Sequence, residues 1–99
     1  MDWDILIRGG TLIDGGGRPG EIGDVAVREA RIAGLGRSLP DGAAKFIDAE
    51  GLMVAPGFID LHSHGQSAEA YRFKARDGVT TALEMEVGVN PVAGWYRER

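Results

Sequence analysis

Glycine constrains the fold of this chain more than any other residue type. The 99 residues include 16 glycines, which is about twice the ordinary usage of roughly 7%. They follow no three-residue period, so they mark turns rather than a collagen-like repeat. In the first half of the chain they separate apolar stretches that are too short for helices. The sequence therefore predicts many short strands joined by tight turns.

The first half contains five or six such stretches. A hairpin is predicted where residues 24–28 and 31–35 flank Glu29-Ala30. Further strands are predicted at residues 3–9, 11–13, 45–48 and 52–54. We expect a small antiparallel sheet or half of a β-sandwich. The glycines of residues 15–20 match the spelling of a dinucleotide fingerprint, but no helix follows them, so a phosphate site is not predicted.

After residue 56 the pattern changes to that of a parallel sheet covered by helices. Strand, helix, strand and helix are predicted at residues 58–62, 66–77, 79–87 and 92–99. Ser67 is placed to cap the first helix, and Gly78 stands where a helix-ending glycine belongs. Asn90 is the expected N-cap of the second helix, with Pro91 in its first turn.

Charge and composition exclude several classes of function. The net charge is -4, from 15 acidic and 11 basic residues, and no block of like charge occurs. Nucleic-acid and membrane partners are therefore not expected. The absence of cysteine excludes a disulfide scaffold, a thiolate zinc site and a cysteine nucleophile. No signal peptide or membrane-spanning apolar run is visible, so we expect a cytoplasmic location.

The two histidines of the sequence, His62 and His64, end the apolar segment that starts at Phe58. Alternate residues of a strand share a face, so a strand here places both imidazoles on the side of Asp60, with their Cβ atoms about 7 Å apart. Both rings could then reach one ion at about 2.0–2.1 Å, and neutral imidazole suits zinc, iron, nickel or copper. The alternative is two histidines that face solvent or form hydrogen bonds without a metal.

Several ordered motifs resemble those of the amidohydrolase superfamily. The resemblance is carried by residues 4–14 (DILIRGGTLID), 47–54 (IDAEGLMV), 54–64 (VAPGFIDLHSH) and 77–81 (DGVTT). It covers nearly the whole chain. Within the superfamily the chain looks most like the N-acyl-D-amino-acid deacylase branch. Residues 84–88, followed by Trp95-Tyr96, are similar to an N-acyl-D-glutamate deacylase-like subgroup.

The resemblance implies an α/β protein with a TIM-like (β/α) barrel and a small composite β-sandwich. Residues 1–54 would belong to the β-sandwich and residues 55–99 would begin the barrel, which is incomplete because a whole barrel needs about 250 residues. The resemblance also implies one or two divalent ions, usually Zn²⁺, with His62 and His64 matching the paired histidine ligands. The general-base aspartate and the other ligands come from later strands, so no catalytic residue is assigned in this chain.

A strand at residues 79–87 suggests a third ligand. It would turn Glu84 and Glu86 to one face, away from the apolar face that packs on helices, and toward the histidines. A buried carboxylate costs several kcal/mol unless it is paired or bound to a metal. Glu86 is therefore a candidate ligand and Glu84 a weaker one; alternatively, both pair with cations elsewhere. In related deacylases a cysteine near this position takes the metal. Asp60 is expected to support the site by hydrogen bonding.

The remaining polar and aromatic residues carry simpler predictions. Arg72, Lys74 and Arg76 are expected to form a solvated helix end, Trp3 and Trp95 to serve packing, and Ser63 to face away from the histidines. Together with the histidine pair, the resemblance implies the N-terminal part of a metal-dependent hydrolase that acts on the non-peptide C–N bond of an N-acyl-D-amino acid. The piece alone is expected to be inactive. The partner would be a small-molecule N-acyl amide, and a homo-oligomer is left open. The alternatives are a catalytically incompetent remnant or a dihydroorotase- or hydantoinase-like cyclic amidase.

Overall fold

The structure is a computed structural model that describes residues 2–99. The chain forms two compact units, Met1–Pro56 (unit 1) and Gly57–Arg99 (unit 2). Unit 1 contains β1 (Trp3–Leu12), β2 (Glu21–Arg28), β3 (Arg31–Gly36), β4 (Ala43–Asp48) and β5 (Met53–Val54). Unit 2 contains β6 (Phe58–Asp60), α1 (Ala68–Arg76), β7 (Val79–Ala82) and α2 (Val92–Arg97). The protein is thus mixed α/β with more strands than helices. Neither helix of the described chain is long and apolar enough to cross a membrane.

The sheet of unit 1 is mixed, so the expectation of an antiparallel sheet is wrong for part of it. The strand order is β3-β2-β1-β4, and β5 also pairs with β1. The pairs β1–β2 and β2–β3 are antiparallel, whereas β4 and β5 run parallel to β1. The reason is the connection of residues 37–42, which returns the chain to the start of β1 instead of turning back beside β3. There the Trp3 N–H donates to the Gly42 carbonyl at 2.7 Å.

A hairpin turn and a β-bulge shape the strands of unit 1. The hairpin at Glu29-Ala30 is confirmed. Both residues have positive φ, 51° and 57°, as required by the two-residue turn whose twist matches that of the flanking strands. The two strands predicted at residues 3–9 and 11–13 are one strand. Its pairing with β2 shifts register between Ile7 and Gly10, and Gly9 has a φ of +75°. The glycines therefore bend β1 as a bulge and do not end it.

The core of unit 1 combines an apolar cluster with a buried carboxylate. Trp3, Leu6 and Ala26 form the cluster, and the Trp3 indole N–H donates to the Pro40 carbonyl at 3.0 Å, which confirms the packing role predicted for this tryptophan. Asp24 is 2% exposed and accepts hydrogen bonds from the Gly9 and Leu39 amides at 3.0 and 2.9 Å. The sequence analysis did not identify Asp24.

A guanidinium completes the surroundings of the buried carboxylate. The Arg8 Nε donates to Asp24 Oδ2 at 3.2 Å. Burial alone would raise the pKa of Asp24, but the two amide hydrogen bonds and Arg8 outweigh it and hold that pKa below its ordinary value. Arg8 also donates to the Leu39 carbonyl and the Asp41 carboxylate, and its hydrogen bonds to Asp41 and Asp24 raise the pKa of the guanidinium. Asp24 thus joins β1, β2 and the loop before β4.

Unit 2 is a strand–helix–strand unit in which β6 and β7 pair in parallel. Helix α1 begins after Ser67, whose hydroxyl accepts from the Ala70 N–H at 3.1 Å. It ends at Arg76 with Asp77 as its C-cap, and Gly78 follows with a φ of +84°. The predicted Ser67 cap and the helix-ending position of Gly78 are confirmed, although the helix is shorter than the predicted residues 66–77. For α2 the N-cap is Pro91 rather than Asn90, because Pro91 is still extended and the helix starts one residue later.

Both strands of unit 2 are shorter than predicted. β6 ends at Asp60 and β7 at Ala82, so residues 61–62 and 83–87 lie outside regular strands. β7 ends at Ala82, one residue after its β-branched run, because alanine, leucine, glutamate and methionine favour helices more than strands. The backbone nevertheless continues to pair briefly: the Leu83 N–H donates to the Asp60 carbonyl at 2.9 Å, and the Ser63 N–H donates to the Leu83 carbonyl at 3.2 Å.

Candidate metal centre

Two loops of unit 2 carry the predicted ligands. Residues 61–66, here called the histidine loop, follow β6, and residues 83–90, here called the glutamate loop, follow β7. Because β6 and β7 are parallel, their C-terminal ends lie at the same edge of the small sheet. Ligand-binding residues of α/β proteins collect at this edge. The chain therefore brings the two loops together although 24 residues separate His62 from Glu86.

Three donor atoms from these loops face one another. The Nε2 atoms of His62 and His64 are 3.1 Å apart, and the His64 Nε2 is 3.2 Å from Glu86 Oε2. The His62 Nε2 contacts the same carboxylate oxygen. The imidazoles converge, as expected, but the cause is different from the expected one: both histidines lie beyond the end of β6, so loop conformation rather than strand pleat directs them.

The residues fit a zinc ion by the chemistry and the spacing of their donor atoms. Imidazole nitrogen and carboxylate oxygen are both common zinc ligands, at about 2.0–2.2 Å from the ion. Two ligand atoms of a tetrahedral zinc are then about 3.3 Å apart, close to the separations of His64 Nε2 from the His62 Nε2 and from Glu86 Oε2, 3.1 and 3.2 Å. The site resembles an open centre, because all three side chains are exposed. The roles of His62, His64 and Glu86 as ligands stay predictions.

Asp60 and Glu84 lie close to this cluster without joining it. Asp60 Oδ1 accepts a hydrogen bond from the His62 backbone N–H at 3.1 Å, so it anchors the histidine loop rather than an imidazole ring. Glu84 Oε1 lies 3.6 Å from the ammonium of Lys74. That contact agrees with the alternative in which a carboxylate pairs with a cation elsewhere.

Lys74 corrects the prediction of a solvated helix end. Its side chain is only 16% exposed, and its ammonium donates to the Gly65 carbonyl at 2.9 Å. The sequence held a signal for this position: Lys74 is three residues after Tyr71, and residues three apart on a helix share a face. Tyr71 is half-buried, and the Lys74 ammonium lies 5.3 Å from the centroid of its ring. The stem of Lys74 therefore lies along the same side of α1.

The sequence analysis also missed Gln66. Its Nε2 donates to the Gly88 carbonyl at 3.3 Å, and its Oε1 accepts from the Trp95 indole N–H at 2.8 Å. Trp95 is half-buried, and it forms this polar contact in addition to the packing predicted for it. Ser63, predicted to face away from the histidines, is 4% exposed. Its hydroxyl has no hydrogen-bond partner within residues 2–99.

Comparisons with known proteins place the chain in a family. The sequence pattern of the Amidohydrolase family matches residues 45–97. The chain is 44% identical over 96 residues to a D-aminoacylase of Alcaligenes xylosoxydans xylosoxydans, covering 89% of this chain and 19% of that protein. It is 38% identical over 98 residues to an allantoinase of Rubrobacter xylanophilus, covering 90% of this chain and 21% of that protein.

A solved structure supports the same assignment. The N-acyl-D-glutamate deacylase of Bordetella bronchiseptica, complexed with zinc and a phosphonate inhibitor, superposes with a TM-score of 0.74 at 40% identity. The match covers 83% of this chain and 18% of that one. The chain spans about a fifth of the length of these relatives. Since the family pattern covers more than half of the residues, the chain belongs to the amidohydrolase family.

Proposed function

We propose that this chain supplies the first metal ligands of a hydrolase that cleaves the non-peptide C–N bond of an N-acyl-D-amino acid. The observation that carries the proposal is the convergence of His62, His64 and Glu86 on one point at the C-terminal edge of two parallel strands. A D-aminoacylase and an N-acyl-D-glutamate deacylase are among the similar proteins. The structure of the latter contains bound zinc.

The architecture proposed for the whole protein follows the same family. Residues 55–99 would begin a TIM-like barrel, and residues 1–54 would form part of a composite β-sandwich. Support for the second point comes from the sheet of unit 1, where Ile32 and Leu35 on β3 and Met53 on β5 are 63–78% exposed. Large apolar side chains on a sheet are ordinarily covered by a second layer.

The family is expected to bind one or two Zn²⁺ ions, and the residues of this chain would hold one of them. His62 and His64 would bind through Nε2 as neutral imidazoles, and Glu86 through Oε2 would neutralise part of the charge. A bound zinc supplies Lewis acidity, which polarises a carbonyl and lowers the pKa of water to about 7. Asp60 would hold the backbone of the histidine loop in place. Following the family resemblance, we place the general-base aspartate and the remaining ligands on later strands, outside these 99 residues.

A cyclic amidase is the second candidate, because an allantoinase is among the relatives. Both candidates hydrolyse a C–N bond outside a peptide, so the metal site does not separate them. The substrate does: a deacylase would accept an open-chain N-acyl-D-amino acid, whereas a cyclic amidase would accept a ring such as a hydantoin. The deacylase is preferred because the D-aminoacylase has the higher identity, 44% against 38%.

The test is metal content and substrate choice of the full-length protein. We expect bound zinc, at least one equivalent of which is lost in His62→Ala and in His64→Ala. Hydrolysis of N-acetyl-D-glutamate, N-acetyl-D-alanine, their L-enantiomers and hydantoin would be followed in parallel. Activity on the D-enantiomers that falls at least 100-fold in both variants supports the proposal. Unchanged zinc content and unchanged hydrolysis would contradict it, and activity on hydantoin alone would favour the cyclic amidase.

A further inference from the structure

Lys74 connects the two ligand-bearing loops from α1. Its ammonium donates to the carbonyl of Gly65 in the histidine loop at 2.9 Å and lies 3.6 Å from Glu84 Oε1 in the glutamate loop. Gly65 is the residue after His64, and Glu84 stands two residues before Glu86. The lysine therefore touches each loop within two residues of a predicted ligand.

Gln66 connects the same two loops on the other side of the ligands. Its amide nitrogen donates to the carbonyl of Gly88 at 3.3 Å, two residues after Glu86. Its amide oxygen is held by the Trp95 indole N–H at 2.8 Å, which fixes the orientation of the amide. The Arg99 guanidinium lies over the Trp95 ring, 3.9 Å from its centroid. One end of this connection thus rests on α2.

We propose that Lys74 and Gln66 are positioning residues that set the separation between the histidine ligands and Glu86. The inference rests on the metal site proposed above and adds a role for two residues outside the ligand set. His62, His64 and Glu86 lie on exposed loops after short strands, so their own packing does not order them. Bonds between the loops on both sides of the ligands lower the entropy that a metal must otherwise remove on binding.

The physical case is strongest for Lys74. Glu84 is 16% exposed, and its Oε1 has no hydrogen-bond partner within residues 2–99. The ammonium of Lys74 is the charge that offsets this carboxylate. Removing the ammonium would leave a half-buried negative charge, which would turn toward water and carry the glutamate loop with it. The separation of Glu86 from the histidines would then change.

The experiment compares zinc affinity in four variants of the full-length protein. Lys74→Met keeps the stem and removes the charge, Lys74→Arg restores a cation, and Gln66→Leu removes the second connection. Arg72→Met is the matched control, since Arg72 is exposed on the same helix and makes no hydrogen bond or ion pair within the described residues. Affinity would be measured by competition with a chromophoric chelator, and site geometry by the visible absorption of the Co²⁺-substituted protein.

We expect Lys74→Met and Gln66→Leu each to weaken zinc binding by about 10-fold or more, the effect usual for residues that orient metal ligands. Arg72→Met should stay within about 2-fold, and Lys74→Arg should recover most of the affinity. The Co²⁺ spectrum should change in Lys74→Met and stay unchanged in Arg72→Met. A purely structural role would instead lower thermal stability and leave affinity and spectrum unchanged in the folded fraction.

The outcomes separate the two proposals. If the unsubstituted protein binds no stoichiometric zinc, both the proposed function and the positioning role are overturned. If it binds zinc and the Lys74→Met and Gln66→Leu variants bind it equally well, only the positioning role is overturned. Should Lys74→Met fail to fold, Gln66→Leu still decides the question, because it leaves the pair of Lys74 and Glu84 in place.

Discussion

Two clusters of ionisable side chains, one in each unit, differ in how their charged groups are buried and paired. In unit 1, Asp24 is buried, and its two oxygens accept from two amides and from the guanidinium of Arg8. In unit 2, the side chains of His62, His64 and Glu86 are 68%, 55% and 64% exposed. Their nitrogen and oxygen atoms face one another, and no lysine or arginine within residues 2–99 forms an ion pair with them.

The difference separates a structural cluster from a binding cluster. Around Asp24 the chain itself supplies every donor that the carboxylate needs, so folding completes the cluster and the cluster stabilises the fold. Around Glu86 the chain gathers electron-pair donors and keeps them in solvent, where unpaired polar groups cost little. A cluster of that kind gains most from a cation that comes from solution. The two clusters should therefore respond in opposite ways to metal and to substitution.

Zinc addition should give the largest effect, and only in unit 2. At a free zinc concentration about 1,000 times its Kd, binding stabilises the folded state by about 4 kcal/mol. Hydrogen exchange measured with and without zinc would locate this gain, which we expect in residues 57–99. His64→Ala should abolish it. Protection that rises equally in both units, or that persists in His64→Ala, would contradict the distinction between the clusters.

Removing the buried carboxylate should give the next largest effect, and it should be independent of metal. Asp24→Ala removes one of the two carboxylates bound to Arg8 and leaves two amides without an acceptor, so we expect a loss of about 3 kcal/mol in the free energy of unfolding. Chemical denaturation measures it. The control is Asp14→Ala, because the Asp14–Arg18 pair is solvent-exposed and should contribute less than about 0.5 kcal/mol. Equal losses in the two variants would contradict a structural role for Asp24.

Local sequence signals were sufficient for part of the fold. The hairpin at Glu29-Ala30 and the helix between Ser67 and Gly78 are both confirmed. Each depends on turn or cap residues that act on the backbone next to them in sequence. The parallel pairing of β4 with β1 depends on where a six-residue connection delivers the chain, which no local pattern encodes. The extent of β7 was also misjudged, because alternation through Glu84 and Glu86 imitates a strand beyond the residues that pair.

The candidate site shows the same limit. His62 and His64 were found by their spacing, although the strand invoked to align them ends at Asp60. Glu86 was found by an argument from a strand face that does not exist there, and the loop nevertheless brings its carboxylate to the imidazoles. Asp24, Lys74 and Gln66 were missed as members of clusters because their partners lie 9–29 residues away along the chain. Such contacts follow from the fold and not from composition.

Acid should weaken unit 1 through Asp24. The folded-state pKa of this carboxyl lies below its ordinary value of 3.8, so its charged form is stabilised by folding. That contribution is complete well above pH 3.8, declines as the pH falls below that value, and is lost once the pH passes the folded-state pKa. The free energy of unfolding of the metal-free protein should therefore fall below about pH 4. In Asp24→Asn this decline should be shallower; an identical pH profile would show that another group causes it.

The smallest expected effect concerns the binding cluster without metal. Glu86→Gln replaces a 64% exposed carboxylate by a neutral amide of the same shape, and exposed ion pairs contribute little because water screens them. We expect the free energy of unfolding of the metal-free protein to change by less than about 0.5 kcal/mol, while zinc affinity falls because a charged ligand is lost. Chemical denaturation in the presence of a chelator measures the first quantity and chelator competition the second. A loss comparable to that of Asp24→Ala would mean that Glu86 supports the fold, and the contrast between the two clusters would then fail. A near-zero change in stability with weakened zinc binding would assign the carboxylate to the ion alone.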